Sequence, residues 1–168
     1  MNNHISRGFS LIEVMVTLIL LTIGILGLVA MQGRGIQYTQ DSVQRNNAAM
    51  LASEYMELAR ANSENLDGYI LSELPAAGDC DTSTPTEISD TAKQLTCWAN
   101  KVHLLLPDAL ALKDEFYACR SKNPGSCATG RALEVQLAWR ASGDGCLDAN
   151  AAADEDLSIC RFRLRGEL

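Results

Sequence analysis

No proline occurs before Pro75, and no charged side chain lies between Val14 and Met31. The first absence removes the residue that most forcibly ends a helix. The second leaves 18 consecutive uncharged residues. Histidine is nearly absent: the chain has His4 and His103, and neither lies near a cysteine pair at zinc-ligand spacing. There is no CxxC pair, no P-loop, no GxSxG string and no HExxH string. With those motifs missing, nothing in the sequence points to an enzyme or a cofactor. His103 is read as a surface or packing residue. A basic excess is missing too. Fourteen Lys and Arg stand against 21 Asp and Glu, a net charge of −7. That balance speaks against a whole-domain electrostatic grip on nucleic acid, which is not expected as a partner. It favours solubility.

What is present is unevenly spread. The chain has 168 residues, of which 47% are hydrophobic, enough for one core. A dense apolar block lies near the N-terminus, and the remainder is mixed and polar. Six cysteines, Cys80, Cys97, Cys119, Cys127, Cys146 and Cys160, all lie outside that block. An even count in a domain behind a membrane segment favours disulfides in an oxidising compartment over free thiols or a metal site. Six cysteines allow 15 pairings, and the sequence does not choose among them. The pairing of sequence neighbours, Cys80–Cys97, Cys119–Cys127 and Cys146–Cys160, is the working expectation.

Residues Phe9 to Met31 carry one charge, Glu13. About 20 apolar residues in a helix span a bilayer, and a spanning segment must satisfy its own backbone hydrogen bonds. Arg7 is the fixed charge on the N-terminal side. The positive-inside rule then places the N-terminus in the cytoplasm and the C-terminal part outside. Two plainer readings compete. A secretory signal peptide needs a small-x-small cleavage site, and Val29-Ala30-Met31-Gln32 is a poor one; Gly33-Arg34-Gly35 is marginal. A plain signal anchor leaves Glu13 unexplained, because a carboxylate in a bilayer is costly and usually has a partner.

The string Arg7-Gly8-Phe9-Ser10-Leu11-Ile12-Glu13-Val14 closely resembles the class III signal of type IV pilins and type II secretion pseudopilins. The resemblance implies cleavage between Gly8 and Phe9 by a prepilin peptidase, and methylation of the new Phe9 amine. It also implies a partner for Glu13, the Phe9 amine of a neighbouring subunit. Buried opposite charges are tolerable when paired. The stretch from Thr22 to Gln32 and the stretch from Gln44 to Asn62 look like PilV-type minor pilins. So do Trp98 and Leu106-Pro107-Asp108-Ala109. For such a protein the resemblance implies work with other minor pilins and major pilin subunits at an inner-membrane assembly platform. It would prime or cap type IV pilus assembly, and sit at the pilus tip. Membrane lipid surrounds it beforehand.

Ala48, Leu51, Ala52, Tyr55, Leu58 and Ala59 make one amphipathic face. One helix is therefore expected from Phe9 to about Asn62, roughly 80 Å long, against two helices broken at Gly33-Arg34-Gly35. The expected organisation is a leader at 1–8, a membrane or filament-core helix at 9–31, and its amphipathic continuation at 32–62. A periplasmic disulfide-containing globular domain follows at 63–168. The expected fold is α+β, the long helix packed on a small antiparallel sheet, as in pilins generally. Ser89 or Asp90 caps a second helix carrying Ala92, Leu95, Trp98, Ala99, Val102, Leu105 and Leu106, which Pro107 ends.

Leu133, Val135, Leu137 and Trp139 alternate with polar residues, the mark of a half-buried strand. In Cys160-Arg161-Phe162-Arg163-Leu164-Arg165, Phe162 and Leu164 face in and three arginines face out. Such a row suits a charge-protected edge strand, or a contact for an acidic or phosphate-bearing partner at a filament tip. Asp144, Asp148, Asn150, Asp154, Glu155 and Asp156 crowd one loop. Their spacing departs from the EF-hand pattern, so a solvated acidic loop is expected rather than a calcium site.

Overall fold

The computed structural model describes residues 10–80, 90–141, 145–146 and 156–167. It has two compact units, Met1–Thr39 and Gln40–Leu168. The helix α1 runs unbroken over Leu11–Ala61, through Gly33-Arg34-Gly35. A 3-10 segment at Ser63–Tyr69 follows.

In the second unit, the stretch of α1 from Gln40 onward supplies Ala48, Leu51, Ala52, Tyr55, Met56 and Ala59 to the core, all buried. The second helix, α2, spans Thr91–Leu105. The Asp90 side chain accepts from the Lys93 amide at 3.0 Å, a side-chain N-cap. Its chain turns extended at Leu106, before Pro107. Leu95, Trp98, Ala99 and Val102 are buried. Ala92, expected on the same face, is exposed, because it sits in the first turn before the helix meets the core. The Trp98 indole donates to the Leu51 carbonyl at 2.9 Å and its ring lies 4.8 Å from that of Tyr55. Tyr55 in turn donates to the Tyr69 carbonyl at 2.6 Å. These aromatics bury large apolar areas while each polar tip finds a partner, which fixes how the helices meet.

The sheet contains β1 (Tyr117–Asn123), β2 (Ser126–Cys127), β3 (Ala132–Arg140) and β4 (Ile159–Glu167), all antiparallel, in the order β2-β1-β3-β4. The fold is α+β, a long N-terminal helix packed on a small antiparallel sheet. Val135 pairs with Leu164, Leu137 with Phe162 and Trp139 with Cys160, so β4 presents its apolar alternate residues on the core side. At Gly166 β4 passes close to α1: a Cβ there would lie 2.9 Å from Met56 Cε.

The strand β3 corrects the half-buried expectation. Every residue from Ala132 to Trp139 is buried, on both faces. As an inner strand it has neighbours on both edges, and side chains fold over its second face. Arg161 reaches Glu115 at 2.9 Å, and Arg163 donates to the Gln136 side chain. The arginine row is thus spent partly on the chain's own acceptors. Arg165 likewise donates to the Lys122 carbonyl at 3.1 Å. The alanines at 132 and 138 leave room for long aliphatic stems beside them.

Candidate assembly site at the N-terminal helix

The start of α1 is set by Ser10, whose carbonyl accepts from the amides of Glu13 at 3.0 Å and Val14 at 3.3 Å. Glu13 therefore stands in the first helical turn, where a negative charge is favoured by the helix dipole. Its side chain is exposed and makes no ion pair among the described residues. Gly8 and Phe9, the expected cleavage pair, lie outside the described residues.

Around Glu13 the helix is apolar and uncovered. The large hydrophobic residues from Leu11 to Met31 are between 47% (Val14) and 78% (Leu11) exposed. The two threonines in this stretch turn their hydroxyls inward. Thr17 donates to the Val14 carbonyl and Thr22 to the Ile19 carbonyl, each at 2.8 Å. No hydroxyl proton is then left pointing at an apolar surrounding. The helix is long and apolar enough to cross a membrane. An all-round apolar helix is stable only when lipid or other helices cover it.

Residues 3–29 match the family of the prokaryotic N-terminal methylation motif. The chain carries the signal of type IV pilins and pseudopilins. That motif implies processing by a prepilin peptidase and assembly with pilin subunits, and the family it marks is structural. The pilin-type signal and the apolar helix together fit a membrane-anchored protein. No curated protein and no solved structure matches the chain.

The remaining candidates lie in the second unit. Cys80 pairs with Cys97, Cys119 with Cys127 and Cys146 with Cys160. The Cys119–Cys127 bridge closes the hairpin of β1 and β2. The Cys146–Cys160 bridge holds the chain before the acidic loop to β4. Of that loop, Asp144, Asp148, Asn150, Asp154 and Glu155 lie outside the described residues. Asp156 accepts from the Ser158 amide at 2.8 Å, and the Ser158 hydroxyl first, with this amide bond adding to it, holds its carboxyl below the usual range. No group of three or more metal-ligating side chains occurs among the described residues. The His103 ring nitrogen lies 3.2 Å from the Pro75 carbonyl, a packing contact.

The Leu106-Pro107-Asp108-Ala109 string forms a turn against the end of β3. The Pro107 carbonyl accepts from the Arg140 amide at 3.1 Å. Asp108 adopts a left-handed φ of 56°, which Asp tolerates better than most residues. Its carboxylate pairs with Arg140 at 3.0 Å.

Sequence reasoning passed over Glu134. It is fully buried and accepts from the Tyr117 hydroxyl at 2.8 Å, the Ser121 hydroxyl at 3.0 Å and the Gly125 amide at 2.9 Å. Gly125 has φ 77°, so the turn needs a glycine to aim that amide. Burial, and then Glu134 beside it, push the Tyr117 phenol up to about 12. Burial, with Tyr69 adding to it, also raises Tyr55. The only available signal for Glu134 was an acid at the centre of a strand with apolar flanks.

Proposed function

We infer that this chain is a minor type IV pilin of the PilV type. It is cut between Gly8 and Phe9, methylated on the Phe9 amine, and held in the inner membrane by residues 9–31. The N-terminus lies in the cytoplasm and residues 63–168 in the periplasm, with 32–62 continuing the helix. It then joins other minor pilins and the major pilin to prime or cap pilus assembly, and so supports twitching motility from a place at the pilus tip. One observation carries this reading. The methylation motif at residues 3–29 opens a helix whose apolar side chains are exposed among the described residues, with the single carboxylate Glu13 in its first turn. Apolar neighbours supply the cover, and an amine on one of them supplies the counter-charge that a carboxylate in such surroundings needs.

The experiment is mass spectrometry of the N-terminal peptide from membranes of the native host. A peptide beginning at Phe9 and heavier by one methyl group is expected. A chain beginning at Met1 would leave a plain anchor, and one beginning after Ala30 a secreted domain. Glu13→Ala is expected to be processed and yet fail to enter the filament; normal assembly of that variant would count against the pairing. The pseudopilin reading shares the motif and is separated by deletion: lost surface pili support the minor pilin, and lost protein export with pili intact supports the pseudopilin.

A further inference from the structure

One edge of the sheet is β4, the last strand in the order β2-β1-β3-β4. We propose that an extended acidic segment of a partner protein adds to this edge as a further antiparallel strand, its acidic residues opposite Arg163 and Arg165. The proposal does not rest on the pilin reading.

The hydrogen-bond register decides which backbone groups of β4 face outward. Leu71 and Ala118 exchange amide-to-carbonyl bonds at 2.8 and 2.9 Å on the far side of β1. The groups of Tyr117, Cys119 and Ser121 are therefore the ones turned to β3, where they meet Gln136, Glu134 and Ala132. Leu133, Val135, Leu137 and Trp139 are left to bond β4, and their partners there are Gly166, Leu164, Phe162 and Cys160. The Ala141 amide, which donates to the Ser158 carbonyl at 2.8 Å, continues the same alternation. Arg161, Arg163 and Arg165 then turn their amides and carbonyls away from the sheet. Those of Arg163 and Arg165 have no hydrogen-bond partner among the described residues, and both residues are exposed. Unmet groups at the edge of a sheet are a template for an added strand.

Side chains choose the occupant. Residues directly opposite in an antiparallel pair share a face, and like charges there destabilise it. A second copy of β4 centred on Arg163 would set Arg163 against Arg163 and Arg161 against Arg165. Acids at alternate positions of a partner strand turn that repulsion into attraction. The guanidinium groups are open to them. Arg163 donates to the Gln136 side chain and Arg165 to the carbonyls of Ser121 and Lys122, all neutral acceptors, and neither has a carboxylate partner among the described residues. Three carboxylates stand near. Glu115 is taken up by Arg161 at 2.9 Å. Glu134 lies one strand inward, buried under its three donors. Glu167 is exposed on the edge itself, so it bounds the acidic stretch, and a neutral residue is expected opposite it. The partner's intervening side chains fall beside Phe162 and Leu164, half-buried against the core, where apolar ones extend the cover. A nucleic acid would meet the arginines yet leave the edge amides unmet.

The test uses the full chain in detergent and a fluorescein-labelled heptapeptide of alternating Val and Glu, read by polarisation. Binding is expected. In the antiparallel geometry the amides of the peptide's Glu residues face β4 and those of its Val residues face away. N-methylation of the Glu amides is expected to weaken binding about tenfold or more, and N-methylation of the Val amides to change it little. Arg163→Glu is expected to weaken binding of the unmethylated peptide by a similar factor. The double variant Arg163→Glu, Arg165→Glu is expected to bind a peptide of alternating Val and Lys instead, which also shows that its fold is kept. Lys93→Glu, on α2, is expected to change nothing. No binding of the Val and Glu peptide would overturn the proposal. So would equal binding of the two methylated peptides, because charge attraction alone does not distinguish their amides. Equal losses in Lys93→Glu and Arg163→Glu would overturn it as well.

Discussion

Glu134 is a carboxylate taken out of water and supplied with three donors in return, the hydroxyls of Tyr117 and Ser121 and the Gly125 amide. Removing the acceptor leaves the buried Ser121 hydroxyl and the half-buried Tyr117 hydroxyl without it, while the amide of the exposed Gly125 can turn to water. A buried group left unmet costs more than its bond contributes. Glu134→Leu is therefore expected to lower stability by about 2 kcal/mol, at about 1–3 kcal/mol for each group left unmet. Ser121 also donates to the Asn123 carbonyl at 2.6 Å, so part of the loss is recovered there. Glu134→Gln keeps an acceptor oxygen and is expected to lose less. Urea unfolding of the two variants beside the parent measures the difference. The same cluster sets an alkaline limit. The Tyr117 phenol is raised from 10.0 to about 12 in the fold, first by burial and then by Glu134. Its contribution is complete below pH 10 and is lost as pH rises through about 12, because the unfolded chain ionises first. Tyr117→Phe is expected to flatten the fall in stability over that window and to remove one step from the phenolate absorbance titration. None of this was legible in the alternation of residues 133–139. Alternation assigns Glu134 and Gln136 to solvent, whereas their cover comes from the β1–β2 turn and from Arg161 and Arg163 on β4, residues distant in sequence.

At the scale of elements, signals local to the chain fared best. Asp90 caps α2 and Pro107 follows its end, and both are contiguous with the helix they bound. The face of α1 from Ala48 to Ala59 is buried at its 3.6-residue spacing, though Met56 joins it and Leu58 is only half-buried. Strand environment was harder, since whether β3 is covered once or twice depends on what its neighbours carry. Disulfide pairing depends on the fold in the same sense: the β1–β2 hairpin brings Cys119 to Cys127, and Cys146, whose amide donates to the Leu157 carbonyl, lies beside the start of β4 and its Cys160. The continuity of α1 through Gly33 and Gly35 has a local test. A Cβ at either position would meet nothing within 4 Å, so alanine adds helix propensity without a clash. Each glycine costs about 1 kcal/mol relative to alanine in a helix interior. Gly33→Ala and Gly35→Ala are each expected to slow amide hydrogen exchange over residues 30–38 by about fivefold, the equivalent of that energy. Unchanged exchange would mean that opening of this stretch does not pass through local helix unwinding.

At the scale of the molecule, the two compact units differ in what they need. The buried core of the second runs, among the described residues, from Ala48 to Cys160. All three disulfides lie within the second unit as well, each closing a short loop and worth about 3 kcal/mol against the unfolded chain. The first unit has the opposite character, with apolar side chains exposed along α1 from Leu11 to Met31. Its stability in water is therefore not its own, and depends on whatever covers it. The physical consequence is a separable fold. Residues 40–168, exported to an oxidising compartment without residues 1–39, are expected to fold as a soluble unit. Their thermal midpoint should lie within about 3 °C of the same transition in the full chain, roughly the shift that 1 kcal/mol produces in a domain between about 100 and 150 residues long. Differential scanning calorimetry of the fragment in buffer, and of the full chain in mild detergent, makes the comparison. A fragment that binds a hydrophobic dye and lacks a cooperative transition would show that contacts made by residues 1–39 hold the core together. The separation of an anchoring helix from a self-sufficient domain would then be wrong for this chain.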